Sequence, residues 1–346
     1  MSSDFAQRLI AWHKTHGRKG LPWQNTTDPY RVWLSEIMLQ QTQVATVIPY
    51  YQRFLDRFPT LADLAAAPVE AVMPLWSGLG YYARARNLHK CAQMVVMRHG
   101  GEFPRDASLI ADLPGIGRST ANAIASFCFG AQTPILDGNV KRVFARCFGI
   151  DGFPGSVSVE REMWALAESL MPAKETGFYT QAQMDLGATV CTRGKPLCLR
   201  CPLNDICIAH RDNRIPELPA PRPKKAVPER ESIFLVMQSE HGILLEQRPP
   251  SGIWGGLLCL PELPQGADAA QYAARHYGVV ATQWHEQPAL RHVFTHFRLT
   301  LRPLHARVTP APAVMENDRR WLSADAYAEA ALPTPIRTLL ARTFGA

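Results

Sequence analysis

The sequence predicts a multidomain protein in which an all-α region is followed by a smaller α+β domain. Apolar residues recur at three- and four-residue spacing through residues 5–211, as amphipathic helices require. A proline-rich stretch follows, and beyond it short apolar runs alternate with polar residues, as strands do. With 346 residues, 47% of them apolar, the chain is long enough to bury a core in each domain.

The helical region is expected to span residues 1–214. It contains turn signals such as Phe58-Pro59-Thr60 and Leu113-Pro114-Gly115, which divide it into about ten short helices. Residues 215–228 contain five prolines together with Arg222, Lys224 and Lys225. This composition predicts an extended, charged linker rather than packed structure.

The α+β domain is expected to span residues 229–346. Apolar runs at residues 232–238 and 243–247 flank Ser239-Glu240-His241-Gly242, which predicts a β-hairpin, and alternation returns at residues 297–301. A helix is expected near residues 268–277, with Asp268 as its N-cap.

The net charge of +7 favours a polyanionic partner such as nucleic acid. Residues 1–215 carry 23 Lys and Arg against 18 Asp and Glu, so this preference belongs mainly to the helical region. The chain lacks the roughly 18 uninterrupted apolar residues of a membrane span, and residues 1–16 lack the pattern of a signal peptide. We therefore expect a cytosolic monomer, associated with the nucleoid if the source is bacterial.

Four of the eight cysteines lie close together with the spacing C-x6-C-x2-C-x5-C: Cys191, Cys198, Cys201 and Cys207. In a reducing cytosol such a group favours a metal site over disulfides. Four thiolates in one short segment are sufficient to hold one [4Fe-4S] cluster. Zinc also accepts such ligands, although structural zinc sites usually pair their cysteines as two close couples and this segment has only one.

The segment Leu113-Pro114-Gly115-Ile116-Gly117 lies between two helical patterns. Its glycines allow a tight turn that exposes backbone N–H groups to an approaching phosphate, as in a helix-hairpin-helix motif. The alternative is an ordinary glycine-rich connector between helices.

Two carboxylates stand out. The helical neighbours of Glu36 are mostly apolar: Val32, Trp33, Leu39 and Gln40. A carboxyl group on that face is poorly hydrated, which would raise its pKa and keep it protonated for use as a general acid. Asp137 precedes another helical pattern. A buried structural role for Glu36 and a helix-cap role for Asp137 are the alternatives.

Five strings in one order carry a family resemblance: SEIMLQQTQV around Glu36, GLGYYARARN, LPGIG, LDGNVKR and the four cysteines. Together they resemble the helix-hairpin-helix DNA glycosylases, and most closely the MutY-type adenine glycosylases. The match spans nearly all of residues 5–210. Endonuclease III is the alternative relative, but that bifunctional family has a lysine nucleophile where Ser119 stands here. The resemblance therefore implies a monofunctional glycosylase with no Schiff base at this position.

The resemblance also implies a reaction on double-stranded DNA that carries adenine opposite 8-oxoguanine or guanine. The adenine is flipped out of the duplex, and Glu36 protonates its N7. Ionised Asp137, supported by Asn139, stabilises the positive charge that develops on the sugar, and water completes the hydrolysis.

Further DNA contacts are implied by the same resemblance. Gln41 and Tyr81 are expected to penetrate the base stack, and Trp23 and Leu39 to form walls of the adenine pocket. Contacts to the DNA backbone are expected from Gly115, Gly117, Ser119, Lys141, Arg84, Arg86 and Arg118. The alternatives are core packing for the apolar and aromatic residues and simple solvation for the basic ones.

The second domain resembles the Nudix, or MutT-like, fold through its hairpin and Trp254-Gly255-Gly256. Nudix hydrolases bind their metal with a helix of the form R-E-x2-E-E-x-G. Aligned on Gly278, that pattern has none of its three glutamates here, where the residues are Tyr272, Arg275 and His276. The resemblance instead implies recognition of the oxidised guanine by an FSH-type loop, which here is Phe294, Thr295 and His296.

Three other functions are weighed against this interpretation. A glycosylase for another mismatched base, such as thymine, belongs to the same superfamily, but those relatives lack the MutT-like domain. A non-catalytic DNA-binding or redox module would not need both Glu36 and Asp137. A Nudix hydrolase would need the missing glutamates.

Overall fold

A computed structural model of the protein describes residues 2–223, 226–249, 252–281, 283–294, 296–310, 319–327 and 330–344. The chain forms two compact units. The first comprises residues 1–66 and 87–224, and the second comprises residues 67–86 and 225–346. Residues 67–86 therefore pack with the C-terminal part of the chain, which the sequence did not lead us to expect. The domain limits of 1–214, 215–228 and 229–346 stay a prediction.

The N-terminal part of the chain is helical, as predicted. Between Ser2 and Arg211 the described residues form twelve α-helices: α1 (Ser2–His16), α2 (Pro29–Leu39), α3 (Val44–Arg57), α4 (Leu61–Ala66), α5 (Val69–Trp76), α6 (Ala83–His99), α7 (Ala107–Ala111), α8 (Arg118–Phe129), α9 (Gly138–Cys147), α10 (Val157–Ser169), α11 (Thr176–Asp185) and α12 (Ile208–Arg211). A π-helical turn at Leu186–Val190 extends α11, and 3-10 turns lie at Cys198–Arg200 and Asn204–Ile206.

Two helix starts position the candidate carboxylates. The Asp28 side chain accepts a hydrogen bond from the backbone N–H of Tyr30, and Pro29 opens α2 with its φ already helical. Asp137 caps α9 by accepting from the Val140 N–H at 2.8 Å. The core beside α9 contains Phe5 and Phe144, whose ring centroids lie 6.1 Å apart.

The glycine-rich connector is a tight turn between α7 and α8, which contact each other. Leu113 and Ile116 are buried and anchor the turn. Gly115 has φ +79°, and a Cβ added there would lie 2.7 Å from the Cβ of Asn87. Only glycine therefore fits this position without strain.

The beginning of the predicted linker is packed. Leu218 is 2% exposed, and its carbonyl accepts a hydrogen bond of 2.8 Å from Nε of the buried Arg146. A buried guanidinium must find acceptors. The expectation of an extended chain from residue 215 is therefore wrong for the first residues of this stretch.

The second unit contains a mixed sheet of nine strands: β1 (Glu229–Ser239), β2 (Gly242–Gln247), β3 (Leu258–Cys259), β4 (Glu262–Leu263), β5 (Val279–Ala281), β6 (His285–Glu286), β7 (Leu290–Val293), β8 (Arg298–Pro310) and β9 (Arg319–Leu322). The order along its main path is β3-β2-β1-β8-β5. Strands β1 and β8 are parallel and pair Glu229 with Arg298. The predicted hairpin is confirmed, because β1 and β2 are antiparallel and pair Ser239 with Gly242.

Among the described residues of the second unit, three helices lie entirely within it: α5, α13 (Ala269–Tyr277) and α14 (Thr334–Phe344). The prediction for α13 is confirmed, including its cap, since the Asp268 side chain accepts from the Gln271 N–H at 2.8 Å. The apolar core beneath α13 includes Leu235, Met237 and Ala306. None of the helices in the described part of the chain combines the length and apolarity needed to cross a bilayer.

Candidate active site

A cavity of about 850 Å³ opens within the first unit. Its walls come from the end of α1 and the loop after it, from α2, from the end of α8 and from the beginning of α11. Glu36, Trp23 and Leu39 all line it, so α2 and the preceding loop bring together three residues predicted to share a site. Trp23 is 8% exposed and packs edge-on against Tyr51 at 5.4 Å, which makes it both a core residue and a cavity wall.

Glu36 is half-buried where α2 meets the cavity. Loss of hydration raises the pKa of Glu36 to about 8, and the negative charge of nearby Asp137 adds to the effect. The carboxyl group is therefore protonated at neutral pH. This is the state that the sequence pattern predicted for a general acid.

Asp137 also has a raised pKa, but its charge has stabilising partners within the protein. Burial raises the pKa of Asp137, but the N–H groups of Val140 and Asn139, the positive charge of Arg142 and the Asn139 amide all oppose that shift. The Asp137 side chain thus both caps α9 and lies close to Glu36. We assign the higher pKa to Glu36, because only Asp137 receives hydrogen bonds and a cation that stabilise its charge.

Asn139 connects Asp137 to Arg142. Its Nδ2 lies 3.5 Å from Oδ2 of Asp137, and its Oδ1 accepts from Arg142 at 2.9 Å. Arg142 also donates to the carbonyls of Gly187 and Cys191, both at 2.7 Å. The sequence did not identify Arg142 as a site residue. Its position one helical turn after Asn139 could have indicated that the two side chains lie on the same face of α9.

Ser119 lies in the first turn of α8, at the position where a bifunctional relative would carry lysine. Its hydroxyl oxygen accepts a hydrogen bond of 3.0 Å from the backbone N–H of Leu136, next to Asp137. The side chain therefore has a structural partner beside the candidate site and offers no amine.

A buried carboxylate that no sequence pattern indicated holds two residues of the cavity wall. Asp185 is 0% exposed and accepts from the backbone N–H of Arg18, from the Arg18 guanidinium and from the Gln181 amide at distances of 2.7–2.9 Å. His13 Nε2 lies 3.3 Å from the same carboxylate. Because Arg18 and Gln181 line the cavity, Asp185 fixes two of its polar walls.

Two basic residues predicted to contact DNA have partners within the protein. Nζ of Lys141 lies 2.8 Å from Glu160. Arg118 lies 2.6 Å from Glu168 and 3.9 Å above the ring of Trp164. These contacts lie within the protein, so the DNA-backbone contacts expected of Lys141 and Arg118 stay predictions. The pair of Arg118 with Glu168 is exposed, and exposed ion pairs contribute little stability.

The two residues predicted to enter the base stack share an unusual backbone. Gln41 has φ +57° and Tyr81 has φ +50°, and both are exposed. A left-handed conformation at such residues costs about 1–3 kcal/mol and tends to occur at functional sites. Tyr81 belongs to the second unit, together with the rest of residues 67–86.

The loop predicted to recognise the lesion is aromatic. Phe294 stacks on Phe297 at 4.5 Å and packs against His292 at 4.5 Å and Trp254 at 5.7 Å. His296 lies beside Phe297 at 4.9 Å. Thr295 falls outside the described residues. The expectation for the loop as a DNA-contacting element is not tested by these contacts.

Comparison with known proteins identifies the family. Residues 34–169 match the HhH-GPD superfamily of base excision DNA repair proteins, residues 191–207 the iron-sulfur binding domain of endonuclease III, and residues 232–342 the NUDIX domain. An adenine DNA glycosylase from Buchnera aphidicola is 36% identical over 97% of this chain and 96% of its own length. That from Rattus norvegicus is 35% identical over 96% of this chain and 76% of its own.

The chain belongs to the adenine DNA glycosylase family. It is therefore a DNA N-glycosylase, a hydrolase of base excision repair. Among solved structures, a thermostable thymine-DNA glycosylase is 28% identical with a TM-score of 0.55; the match covers 97% of that chain but 61% of this one. An endonuclease III in a complex with DNA shares the fold of 62% of this chain, over 98% of its own length, with a TM-score of 0.52 and 24% identity.

The cofactor of this adenine glycosylase is a [4Fe-4S] cluster, since the matched iron-sulfur domain begins and ends at the outermost of the four cysteines. The donor set fits. Burial raises the pKa values of Cys198, Cys201 and Cys207, and the negative charge of neighbouring thiolates adds to the shift. Four cysteine thiolates are the ligand set that an iron-sulfur cluster takes, and these four would hold it.

The MutT-like domain of this glycosylase has no carboxylate at the expected positions of α13. The rings of Tyr272 and His276 lie in contact, tilted by 37° with centroids 4.3 Å apart. The hydroxyl of Tyr277 donates to Glu246 at 2.8 Å, and Glu262 is paired with Arg248 at 2.9 Å. The nearby glutamates are thus engaged in contacts within the domain.

Proposed function

We propose that this glycosylase removes adenine paired with 8-oxoguanine or guanine, and that it does so without cleaving the strand. The observation that carries the proposal is the pair of carboxyl groups in the first unit: Glu36, protonated and facing a cavity, beside Asp137, whose charge is stabilised. One acid and one carboxylate are what hydrolysis of an N-glycosidic bond requires.

The roles of the two groups follow from their protonation states. A flipped adenine in the cavity would lie against Trp23 and Leu39, and Glu36 would donate its proton to the base nitrogen. The protonated base is a better leaving group. Asp137 would stabilise the positive charge that develops on the sugar, with Asn139 and Arg142 holding its carboxylate in place. Water supplies the oxygen that replaces the base.

The proposal that the enzyme does not cleave the strand depends on the serine at position 119. A lyase reaction needs an amine that forms a Schiff base with the sugar, and the Ser119 hydroxyl cannot form one. In addition, this hydroxyl is engaged with the Leu136 N–H.

Duplex DNA is the proposed partner of a monomeric enzyme. Gly115 and Gly117 in the hairpin would offer backbone N–H groups to phosphates, and Lys141 would exchange Glu160 for a phosphate. Gln41 and Tyr81, held in left-handed conformations, would fill the stack on either side of the flipped base.

The second unit is proposed to read the base opposite adenine. Phe294 and His296 belong to an aromatic group that offers a stacking surface, and Thr295 between them would add a hydroxyl. The thymine-directed relative is matched by only 61% of this chain, so the MutT-like domain falls largely outside that similarity. The presence of a MutT-like domain therefore favours adenine over thymine as the base that is removed.

The test uses duplexes that carry adenine opposite 8-oxoguanine, guanine or thymine. After incubation, hot alkali reveals abasic sites, and omission of alkali reveals any lyase activity. Strand breaks that depend on alkali, fastest for adenine opposite 8-oxoguanine, are expected. Equal rates on all three duplexes, or breaks without alkali, would contradict the proposal.

The four cysteines are proposed as the cluster ligands. Cys198→Ser is expected to lower the iron content and the soluble yield, because loss of a ligand removes binding energy that is coupled to folding. Cys91→Ser, at a buried cysteine of the helical core, serves as the control and should keep its iron. Iron and zinc analysis of anaerobically purified protein measures the effect. Stoichiometric zinc without iron would exclude the cluster.

A further inference from the structure

The turn that presents Tyr81 is built from both sequence segments of the second unit. It lies between α5 and α6, and the segment that contains it, residues 67–86, packs with residues of the C-terminal part of the chain. Tyr81 is 45% exposed and has φ +50°. A bulky residue keeps such a backbone only when the surrounding contacts determine it.

The first set of contacts is local. The Arg84 guanidinium lies 5.5 Å from the ring of Trp76 and 5.3 Å from the ring of Tyr81, and it donates to the carbonyls of Leu79 and Gly80. Burial lowers the pKa of Arg84 to about 10. This guanidinium therefore supports the tyrosine ring from inside the turn.

The second set comes from the C-terminal part of the chain. The hydroxyls of Ser77 and Tyr82 donate to the same carbonyl, that of the fully buried Leu332, at 3.2 and 3.4 Å. On the other side of Tyr81, Arg86 donates to the carbonyl of Gly255 at 2.6 Å. The turn is thus fastened on both sides of Tyr81 to residues more than 160 positions away in sequence.

Gly255 is connected to the aromatic loop through the residue that precedes it. It follows Trp254, which is 8% exposed, has φ +56° and packs against Phe294 at 5.7 Å and His292 at 6.2 Å. One continuous chain of contacts therefore runs from Phe294 through Trp254 and Gly255 to Arg86 and the Tyr81 turn. The hydrogen bond from Arg86 joins the two sequence segments within this chain of contacts, and it is charge-assisted.

We infer that Arg86 is a positioning residue that couples the aromatic loop at Phe294 to the conformation of Tyr81. Contact of the loop with the base opposite adenine would then change the conformation of Tyr81 at the point where its ring enters the base stack. The inference rests on the proposed function for the DNA roles of Phe294 and Tyr81. It gives Arg86 a different task from the phosphate contact that the sequence suggested.

A double-mutant cycle tests the coupling. Arg86→Met removes the hydrogen bond and keeps the length of the side chain, Arg86→Lys restores a donor, and Arg98→Met, on the exposed end of α6, is the matched control. Dissociation constants are measured with a duplex that contains a non-cleavable abasic-site analogue opposite 8-oxoguanine or guanine. This measurement is independent of base removal.

Arg86→Met is expected to weaken binding opposite 8-oxoguanine about tenfold, as loss of one charge-assisted hydrogen bond implies, and Arg86→Lys to recover most of it. In the Tyr81→Ala background the same substitution should change binding less than twofold. Effects that multiply in the double variant would overturn the inference, as would an Arg86→Met variant that binds like Arg98→Met.

A second cycle, between Phe294→Ala and Tyr81→Ala, covers the case in which Arg86→Met does not fold. Coupling between those two residues supports the contact chain, and independence contradicts it. Excision assays on cleavable duplexes address the proposed function separately. An enzyme without adenine excision would refute that function, whereas the binding cycles would still decide whether Arg86 couples the two elements.

Discussion

Helix α2 in the first unit and helix α13 in the second are the helices on which the family resemblances imply catalytic carboxylates, and the two helices carry different residues. Glu36 on α2 faces a cavity, is poorly hydrated and stands beside a second carboxylate. On α13 the corresponding positions hold Tyr272, Arg275 and His276, and the rings of Tyr272 and His276 lie 4.3 Å apart. Both units match a known fold family, but only the first has carboxyl groups at the positions that its resemblance implies.

The two units also differ in the hydrogen-bond and ion-pair partners of their glutamates. Glu246 and Glu262 near α13 are engaged by Tyr277 and Arg248. Glu36 instead keeps an elevated pKa that costs stability, and such unfavourable burial is typical of functional sites. The following predictions test whether chemistry is confined to the first unit.

The largest effect is expected from the two carboxyl groups. Glu36→Gln and Asp137→Asn should each slow base removal by about 10³-fold or more, because a carboxamide keeps the shape but neither donates the proton nor carries the charge. Single-turnover excision measures the rate, and a gel-shift assay should find DNA binding largely intact. Near wild-type excision by either variant would refute its role, and loss of binding by both would indicate a structural effect.

The pH dependence of excision should show the pKa of Glu36. As the pH rises through about 8, the group loses the proton that it must donate, so the single-turnover rate should fall about tenfold per pH unit above that value. Wild-type rates between pH 6 and 10 give the profile, with circular dichroism to verify that the protein stays folded. A rate that is constant to pH 10 would mean that Glu36 is not the acid.

An intermediate effect is expected from the second unit. Truncation near Glu229 should leave a glycosylase that still acts on adenine opposite guanine but loses much of its preference for 8-oxoguanine, by about tenfold. Thr295→Ala and His296→Ala should reduce the ratio of the two rates less. An unchanged ratio in all three variants would remove the recognition role. Complete inactivity of the truncated protein would show that residues 67–86 need their partners in the C-terminal part of the chain.

The smallest effect concerns stability. Because the folded pKa of Glu36 is about 8 against an ordinary 4.5, the folded protein keeps a proton between these values that the unfolded chain has lost, and stability falls as the pH rises. Glu36→Gln should therefore raise Tm at pH 8 and leave Tm unchanged below pH 4.5. Glu246→Gln, at a glutamate bonded to Tyr277, is the control. A lower Tm for Glu36→Gln at pH 8 would contradict this.

Local patterns in the sequence were sufficient for much of the architecture. Helical spacing predicted the helical region, the turn signal at Ser239–Gly242 predicted the hairpin, and Asp268 was identified as a cap because capping depends on residues three apart. The same holds for Glu36, whose poor hydration follows from its neighbours on one helical face. These properties are set within a few residues, so the amino-acid order alone determines them.

Tertiary structure decided what depends on residues distant in sequence. Asp185 gives no sign in its own segment that it binds Arg18 and Gln181 and so shapes the cavity, and Leu218 gives none that it accepts from Arg146. Residues 67–86 have the pattern of the helices around them, yet they pack with residues 225–346, because Ser77, Tyr82 and Arg86 find their acceptors at Leu332 and Gly255. Side-chain spacing records which face of a helix is apolar, but the partner for a polar group is chosen only when the chain closes on itself.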